Sequence, residues 1–169
     1  RRINATAGRA VLPEARAIIP RSGRLPGIDG KAKMSKSGGN AIALSASSEQ
    51  IRSAVKAMFT DPNHLRVDDP GCIEGNVVFT YLDAFDQEQD GLAELKAQYQ
   101  RGGLGDGKIK ARLEAILQDL VGPIRQRRAQ LAEDRGYILE VIKEGTARAR
   151  ERTEATKRDV VSALGLFQL

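Results

Sequence analysis

Lys33 and Lys36 stand three residues apart in the stretch Gly27-Ile28-Asp29-Gly30-Lys31-Ala32-Lys33-Met34-Ser35-Lys36-Ser37-Gly38-Gly39-Asn40. On a tight turn, cations at that spacing can lie on one side and face a single polyanion. The hydroxyls of Ser35 and Ser37, with backbone N–H groups exposed by Gly38-Gly39, can donate further hydrogen bonds to phosphate oxygens. Lysine suits a moving loop because it carries a point charge on a flexible stem, whereas arginine demands a fixed fork geometry. Glycines on both sides supply hinges. The chemistry that fits is reaction at a phosphate-bearing ligand: where negative charge builds on a departing phosphate group, positioned cations lower that barrier more than they favour the ground state. A solvated surface turn could carry the same residue types, but the order Lys-Met-Ser-Lys-Ser with glycine-rich flanks favours phosphate.

The elements that must position this loop divide at about residue 46. Residues 1–46 are rich in Gly and Pro and lack sustained periodicity, with turn signals at Pro13, Pro20, Ser22-Gly23, Pro26-Gly27 and Asp29-Gly30. Such a segment buries little by itself, and Arg21 to Ala46 reads as mobile, with few apolar anchors. Ser47 followed by Gln50 resembles a capping box, and Ile51, Val55 and Met58 recur on one face, predicting a helix from about Ser48 to Phe59. Asp61-Pro62 ends it. A loop to Asn76 contains Asp69-Pro70-Gly71, and Val78, Phe79, Leu82 and Phe85 then mark a short helix whose aromatics belong to the core. Leu92 to Arg101 predicts another helix, broken by Gly102-Gly103-Leu104-Gly105-Asp106-Gly107. That glycine run lacks a Lys-Ser/Thr ending and a preceding strand, so it reads as a connector. From Lys108 to about Glu133, Ile109, Leu113, Ile116, Leu117, Leu120, Ile124 and Leu131 trace a stripe, with Pro123 expected to kink it. The last helix, about Tyr137 to Leu164, sets Leu139, Ile142, Thr146, Ala149, Thr153, Thr156, Val160 and Leu164 on a narrow face of small residues suited to close helix contact. The chain is therefore expected to be mainly α, with a helical bundle over residues 47–169 and, over residues 1–46, the torn edge of another domain.

Charge is distributed in the same sense. Residues 1–37 hold nine Arg and Lys against Glu14 and Asp29, a balance of +7, whereas residues 38–120 balance to −5 and residues 121–169 to +3. A basic front of that density suits an anionic partner, nucleotide or nucleic acid. No apolar run approaches the roughly 20 residues of a membrane span. Cys72, the one cysteine of 169 residues, can form neither an internal disulfide nor a zinc cluster, which fits a reducing, cytoplasmic setting. The start at Arg1-Arg2-Ile3-Asn4 has no initiating Met and no apolar leader, and reads as the edge of something longer.

Lys33-Met34-Ser35-Lys36-Ser37 is similar to the signature loop of class I aminoacyl-tRNA synthetases. Gly27-x-Asp29-Gly30 before it and Asn40-x-Ile42 after it resemble the synthetases that activate tryptophan or tyrosine. Thr60-Asp61-Pro62, Asp69-Pro70-Gly71, Glu74, Val78-Phe79-x-Tyr81-Leu82-x-Ala84-Phe85, Gly105-Asp106-x-Lys108-x-Lys110 and Pro123-Ile124-Arg125-x-Arg127-Arg128 resemble the tryptophanyl branch, in order along nearly the whole chain. Two local departures are Lys31 and Ala32 standing where one residue is expected before the motif, and Gly38 in place of a larger residue.

The resemblance implies the C-terminal half of a ligase that joins L-tryptophan to tRNA(Trp) through tryptophanyl-adenylate, with ATP, accompanied by Mg2+, as substrate, no bound prosthetic group, and a homodimer as the parent. It further implies that residues 1–46 are the edge of a Rossmann-like catalytic domain and that the helical domain reaches the anticodon stem. Lys33 and Lys36 would be catalytic, binding the ATP phosphates with Met34, Ser35 and Ser37, and the backbone of Leu25 would touch the adenine. Arg125, Arg127 and Arg128 would meet tRNA. The family's second signature, His-Ile-Gly-His or a variant, has no counterpart here, since the one histidine, His64, follows the loop and reads as a solvent-exposed loop residue. The strands of a tryptophan pocket are not expected either, so the chain alone should be inactive. Two other readings compete: a tyrosyl relative, and a tRNA-binding helical module using Arg125, Arg127, Arg128 and the Arg148-Arg150-Arg152 ladder for phosphate contacts. Glu140, Glu144, Glu151 and Glu154 dilute that ladder, and a solvated face with i,i+4 pairs accounts for it equally well.

Overall fold

The computed structural model describes residues 1–19, 22–31 and 33–166; the expectations that touch Pro20, Arg21 and Ala32 lie outside the described residues. Among the described residues there are six helices and no strand: α1 (Arg2–Ala7), α2 (Ser48–Ala57), α3 (Val77–Phe85), α4 (Gln89–Arg101), α5 (Asp106–Glu133) and α6 (Arg135–Ala163). None of them is long and apolar enough to cross a membrane. Packing divides the chain into one unit of Pro20–Ala129 and another formed by Arg1–Ile19 with Gln130–Leu169.

The larger unit holds the core. The capping box that opens α2 is formed as its sequence requires: Gln50 N–H donates to Ser47 Oγ at 3.1 Å, and Ser47 N–H to Gln50 Oε1 at 2.8 Å. Ile51, Val55 and Met58 are fully buried on one face. Asn76 caps α3, its Oδ1 accepting from Val78 N–H at 3.1 Å, and places Val77, Val78, Phe79, Tyr81 and Leu82 in the core. Leu92 and Tyr99 of α4 and Ile109, Leu113, Leu117 and Val121 of α5 complete the cluster. Truncating one of the fully buried members to alanine costs about 2–5 kcal/mol. Gly102, at φ 89°, ends α4, and a side chain there would also press into the carbonyl of Asp68. Lys110 lies among partly buried surroundings that lower its pKa, and its ammonium donates at 2.8 Å to the carbonyl of Lys56 in the last turn of α2.

Several expectations are corrected. α3 and α4 begin earlier than their stripes suggested, and α2 stops at Ala57. α5 starts two residues before the expected Lys108 and runs to Glu133 with Pro123 inside it. α1 was not expected; it is short, and Asn4 stabilises it by accepting from Val11 N–H at 3.0 Å and Leu12 N–H at 2.9 Å while donating to Leu12 O at 2.8 Å. The narrow face of α6 expected to make close helix contact buries no residue. Its stripe of Thr and Ala carries too little apolar area to draw it into a core, and Tyr137, Leu139 and Ile142 remain about half exposed.

His64 is the largest departure. Its side chain is 2% exposed rather than solvated, with Nδ1 3.3 Å from Asp106 Oδ1 and its ring 4.5 Å from that of Tyr99. The same carboxylate accepts from Tyr99 Oη at 2.8 Å and Thr60 Oγ1 at 2.5 Å. Burial, and then the Asp106 carboxylate, raise the pKa of the Tyr99 hydroxyl. This cluster ties the 60–76 loop to the start of α5.

Candidate phosphate-binding loop

The loop that carries Lys33 and Lys36 is attached to the core at three places. Ile28 N–H donates to Asn40 O at 2.9 Å, and Phe59 N–H donates to Ile28 O at 2.8 Å, so the loop is laid along the exit of α2. Leu25, Ile28 and Ile42 pack against the buried cluster. The expectation of few apolar anchors between residues 21 and 46 is thereby corrected. Gly30, at φ 75°, passes over the Phe59 ring, which a Cβ would approach to 3.0 Å. On the other side, the buried Tyr81 hydroxyl of α3 lies 2.9 Å from Pro26 O and 3.4 Å from Met34 Sδ.

Within the loop the Asn40 side chain makes three bonds. Asn40 Oδ1 accepts from Ser35 N–H at 2.8 Å, while Asn40 Nδ2 donates to Lys33 O at 3.2 Å and Asp29 Oδ1 at 3.0 Å. Ser35 Oγ accepts from Gly38 N–H at 3.2 Å and lies 2.9 Å from Ser37 Oγ. One serine hydroxyl donates to the other, so a single hydroxyl proton of the pair is left for a ligand. Asp29 also accepts from Lys31 N–H at 3.1 Å. The Asn40 amide is the main reason that the Asp29 carboxyl lies below the usual carboxylate range; burial opposes it, and the Lys31 N–H and ammonium add to the lowering.

Lys33 and Lys36 are exposed, and among the described residues neither is paired with a carboxylate. Met34 and Ser35 between them are half-buried, so the turn is seated by its middle and offers its cations outward. Leu25 lies in the same segment with its side chain turned to the core. The arginines expected to meet nucleic acid are separated by α5 geometry: Arg127 and Arg128 are exposed, whereas Arg125 donates to Ala46 O at 2.7 Å and Ser48 Oγ at 3.2 Å. Arg125 thus holds α5 to the start of α2.

Two residues of this site, Asn40 and Tyr81, are visible in the sequence only as parts of motifs. The signal that could have singled out Asn40 is its place directly after Gly38-Gly39, where a side chain able both to donate and to accept can close a turn.

The family model for tRNA synthetases class I (W and Y) matches residues 1–122. The chain belongs to that family. It is 49% identical over 168 residues to the tryptophan–tRNA ligase of Clostridium longisporum, covering 98% of this chain and 49% of that protein. It is 50% identical over 161 residues to the tryptophan–tRNA ligase of Streptococcus pneumoniae, covering 92% of this chain and 47% of the relative. Among solved structures, the tryptophanyl-tRNA synthetase of Campylobacter jejuni complexed with ADP and tryptophan superposes with a TM-score of 0.70 at 27% identity, covering 97% of this chain and 50% of that one. The chain spans about half the length of the curated relatives it matches.

Proposed function

We propose that this chain is part of a tryptophan–tRNA ligase, in which ATP activates L-tryptophan to tryptophanyl-adenylate before transfer to tRNA(Trp). The observation that carries the reading is the exposed, unpaired pair Lys33 and Lys36 on a turn seated by Met34 and Ser35. As the tryptophan carboxylate attacks the α-phosphate, the two ammonium groups face the charge that grows on the leaving pyrophosphate. ATP enters with Mg2+ on its phosphates. The exposed loop amides and the remaining serine hydroxyl proton add hydrogen bonds to the phosphate oxygens, and the backbone of Leu25 stands near the adenine.

On this reading residues 1–46 are the edge of a Rossmann-like catalytic domain, and residues 47–169 are the helical part that approaches tRNA. Arg127 and Arg128 supply phosphate contacts there, and Arg125 positions the helix that bears them. The half-exposed Leu139, Val141 and Ile142 of α6 are surface for the rest of the protein or a second subunit to cover. The isolated chain, without a tryptophan pocket, should give no tryptophan-dependent ATP–pyrophosphate exchange, because positioning of both reactants supplies much of the rate. Exchange should appear when this chain is joined to the half of the Clostridium longisporum ligase that it does not match. Full activity from the 169 residues alone, or none from a folded hybrid that binds tryptophan, would overturn the assignment.

A further inference from the structure

We infer that Asn40 is the positioning residue of the phosphate loop, a role that rests on the reading of Lys33 and Lys36 given above. A primary amide offers one acceptor oxygen and two N–H donors. In Asn40 they are all engaged inside one turn, with Ser35 N–H, Lys33 O and Asp29 Oδ1. The two backbone groups it holds stand on either side of Met34. Fixing both fixes the path of the chain from Lys33 into Ser35, and Ser35 Oγ then closes the turn onto Gly38 N–H. The stems of both lysines follow from a single side chain that is 8% exposed, although the lysines themselves stand in solvent.

The third bond has a separate consequence. Asp29 is the acidic group nearest the loop lysines in sequence, and a carboxylate free to turn would pair with one of them and cancel charge meant for phosphate. Asn40 Nδ2 and Lys31 N–H both hold Asp29 Oδ1, which turns it toward the loop interior. Aspartate at position 40 could not make this bond, since an ionised carboxylate has no donor and would repel Asp29. Gly27 is matched to the same arrangement. A Cβ at position 27 would overlap the Asn40 amide nitrogen and come within 2.6 Å of Asn40 Cγ and of Asp29 Oδ1. Gly27 and Asn40, at opposite ends of the motif, are thus one device: the glycine leaves the space in which the amide works.

The test uses the 169-residue chain and inorganic tripolyphosphate, with NMR reporting amide exchange at Ser35, the titration of Asp29 and binding at residues 33–37. In Asn40→Ala the Ser35 amide should exchange faster, the Asp29 carboxyl should titrate higher, and tripolyphosphate should bind about tenfold more weakly, as expected for loss of hydrogen bonds that hold a charged site. Gly27→Ala should do the same without removing any bonding group, and unchanged Ile51 and Val55 amides would show that the core is intact in both. Lys36→Ala separates positioning from general loosening. If Asn40 acts through the lysines, its removal in a Lys36→Ala background should weaken binding by less than threefold, because two groups that act on one contact are not additive. Equal binding by wild type and Asn40→Ala, or full additivity with Lys36→Ala, would overturn the role of Asn40 and leave the phosphate reading standing. No tripolyphosphate binding by the wild-type chain would overturn the phosphate reading, and this inference with it.

Discussion

The hydroxyl of Tyr81, on α3, donates at 2.9 Å to the carbonyl of Pro26, 55 residues earlier in the chain. Tyr81 is 3% exposed, and burial raises its pKa, so it acts as a neutral donor throughout the physiological range. A core helix thereby holds the entry to the phosphate loop. Tyr81→Phe should leave the Pro26 carbonyl without that donor and lower stability by about 1 kcal/mol, the usual net worth of one such bond. The same change should speed amide exchange at Gly27 and Ile28. Denaturant unfolding and hydrogen exchange would check both, and unchanged exchange at those amides would remove Tyr81 from the site.

Asp106 accepts from Tyr99, Thr60 and His64, so its loss leaves several poorly hydrated polar groups without a partner. Asp106→Ala should cost about 2–3 kcal/mol, since each unsatisfied buried group costs about 1–3 kcal/mol. His64→Ala, which opens a cavity beside Tyr99, should also destabilise. A solvated His64 would make that change nearly neutral, and urea titration of the two variants decides between the cases.

Arg112 Nε donates to Asp86 Oδ2 at 2.6 Å, and this bond is the main reason that the Asp86 carboxyl lies below its usual range. The sign follows from linkage. The unfolded carboxyl titrates near 3.9, so the stabilisation is fully present above that value and is lost as pH falls through the lower folded value. Arg112→Met should lower stability at neutral pH, and the difference from wild type should shrink on acidification below about pH 4. Unfolding midpoints measured from pH 7 to pH 2 would reveal a constant difference if the pair contributed nothing.

The contrast between these clusters explains what the sequence could convey. Local signals were legible: Ser47 and Gln50 lie three residues apart and cap α2, and the α3 stripe predicted the burial of Phe79 and Leu82. Long-range pairing was not. His64 reads as a lone loop histidine because its partner, Asp106, is 42 residues away and stands within what looks like a glycine-rich connector. α1 has only six residues, too short for periodicity to register, and depends on Asn4 bonding to residues beyond the helix. In the loop, the lysines were evident from their spacing, whereas Asn40 acts through three groups whose convergence depends on the folded turn. The small-residue face of α6 has helical spacing, but spacing does not say whether a partner exists.

Lys33 and Lys36 should not be equivalent in the hybrid enzyme. Lys31 stands two residues before Lys33 and is close enough to Asp29 to be felt by its carboxyl, so it can replace part of the Lys33 charge. Lys33→Ala should therefore slow activation less than Lys36→Ala. Arginine should rescue poorly at either position, because a rigid guanidinium does not follow a closing loop as an ammonium does. Steady-state kinetics of exchange for the four variants would show the order, and equal losses at the two positions would argue against any contribution from Lys31.

The most direct measurement is single-turnover formation of tryptophanyl-adenylate by the hybrid enzyme and its Lys36→Ala variant, with tryptophan binding measured in parallel. Charge on the leaving pyrophosphate grows only in the transition state, so the rate should fall on the order of a hundredfold or more while tryptophan affinity stays nearly constant. An unchanged rate of adenylate formation in Lys36→Ala would contradict the role assigned to the loop.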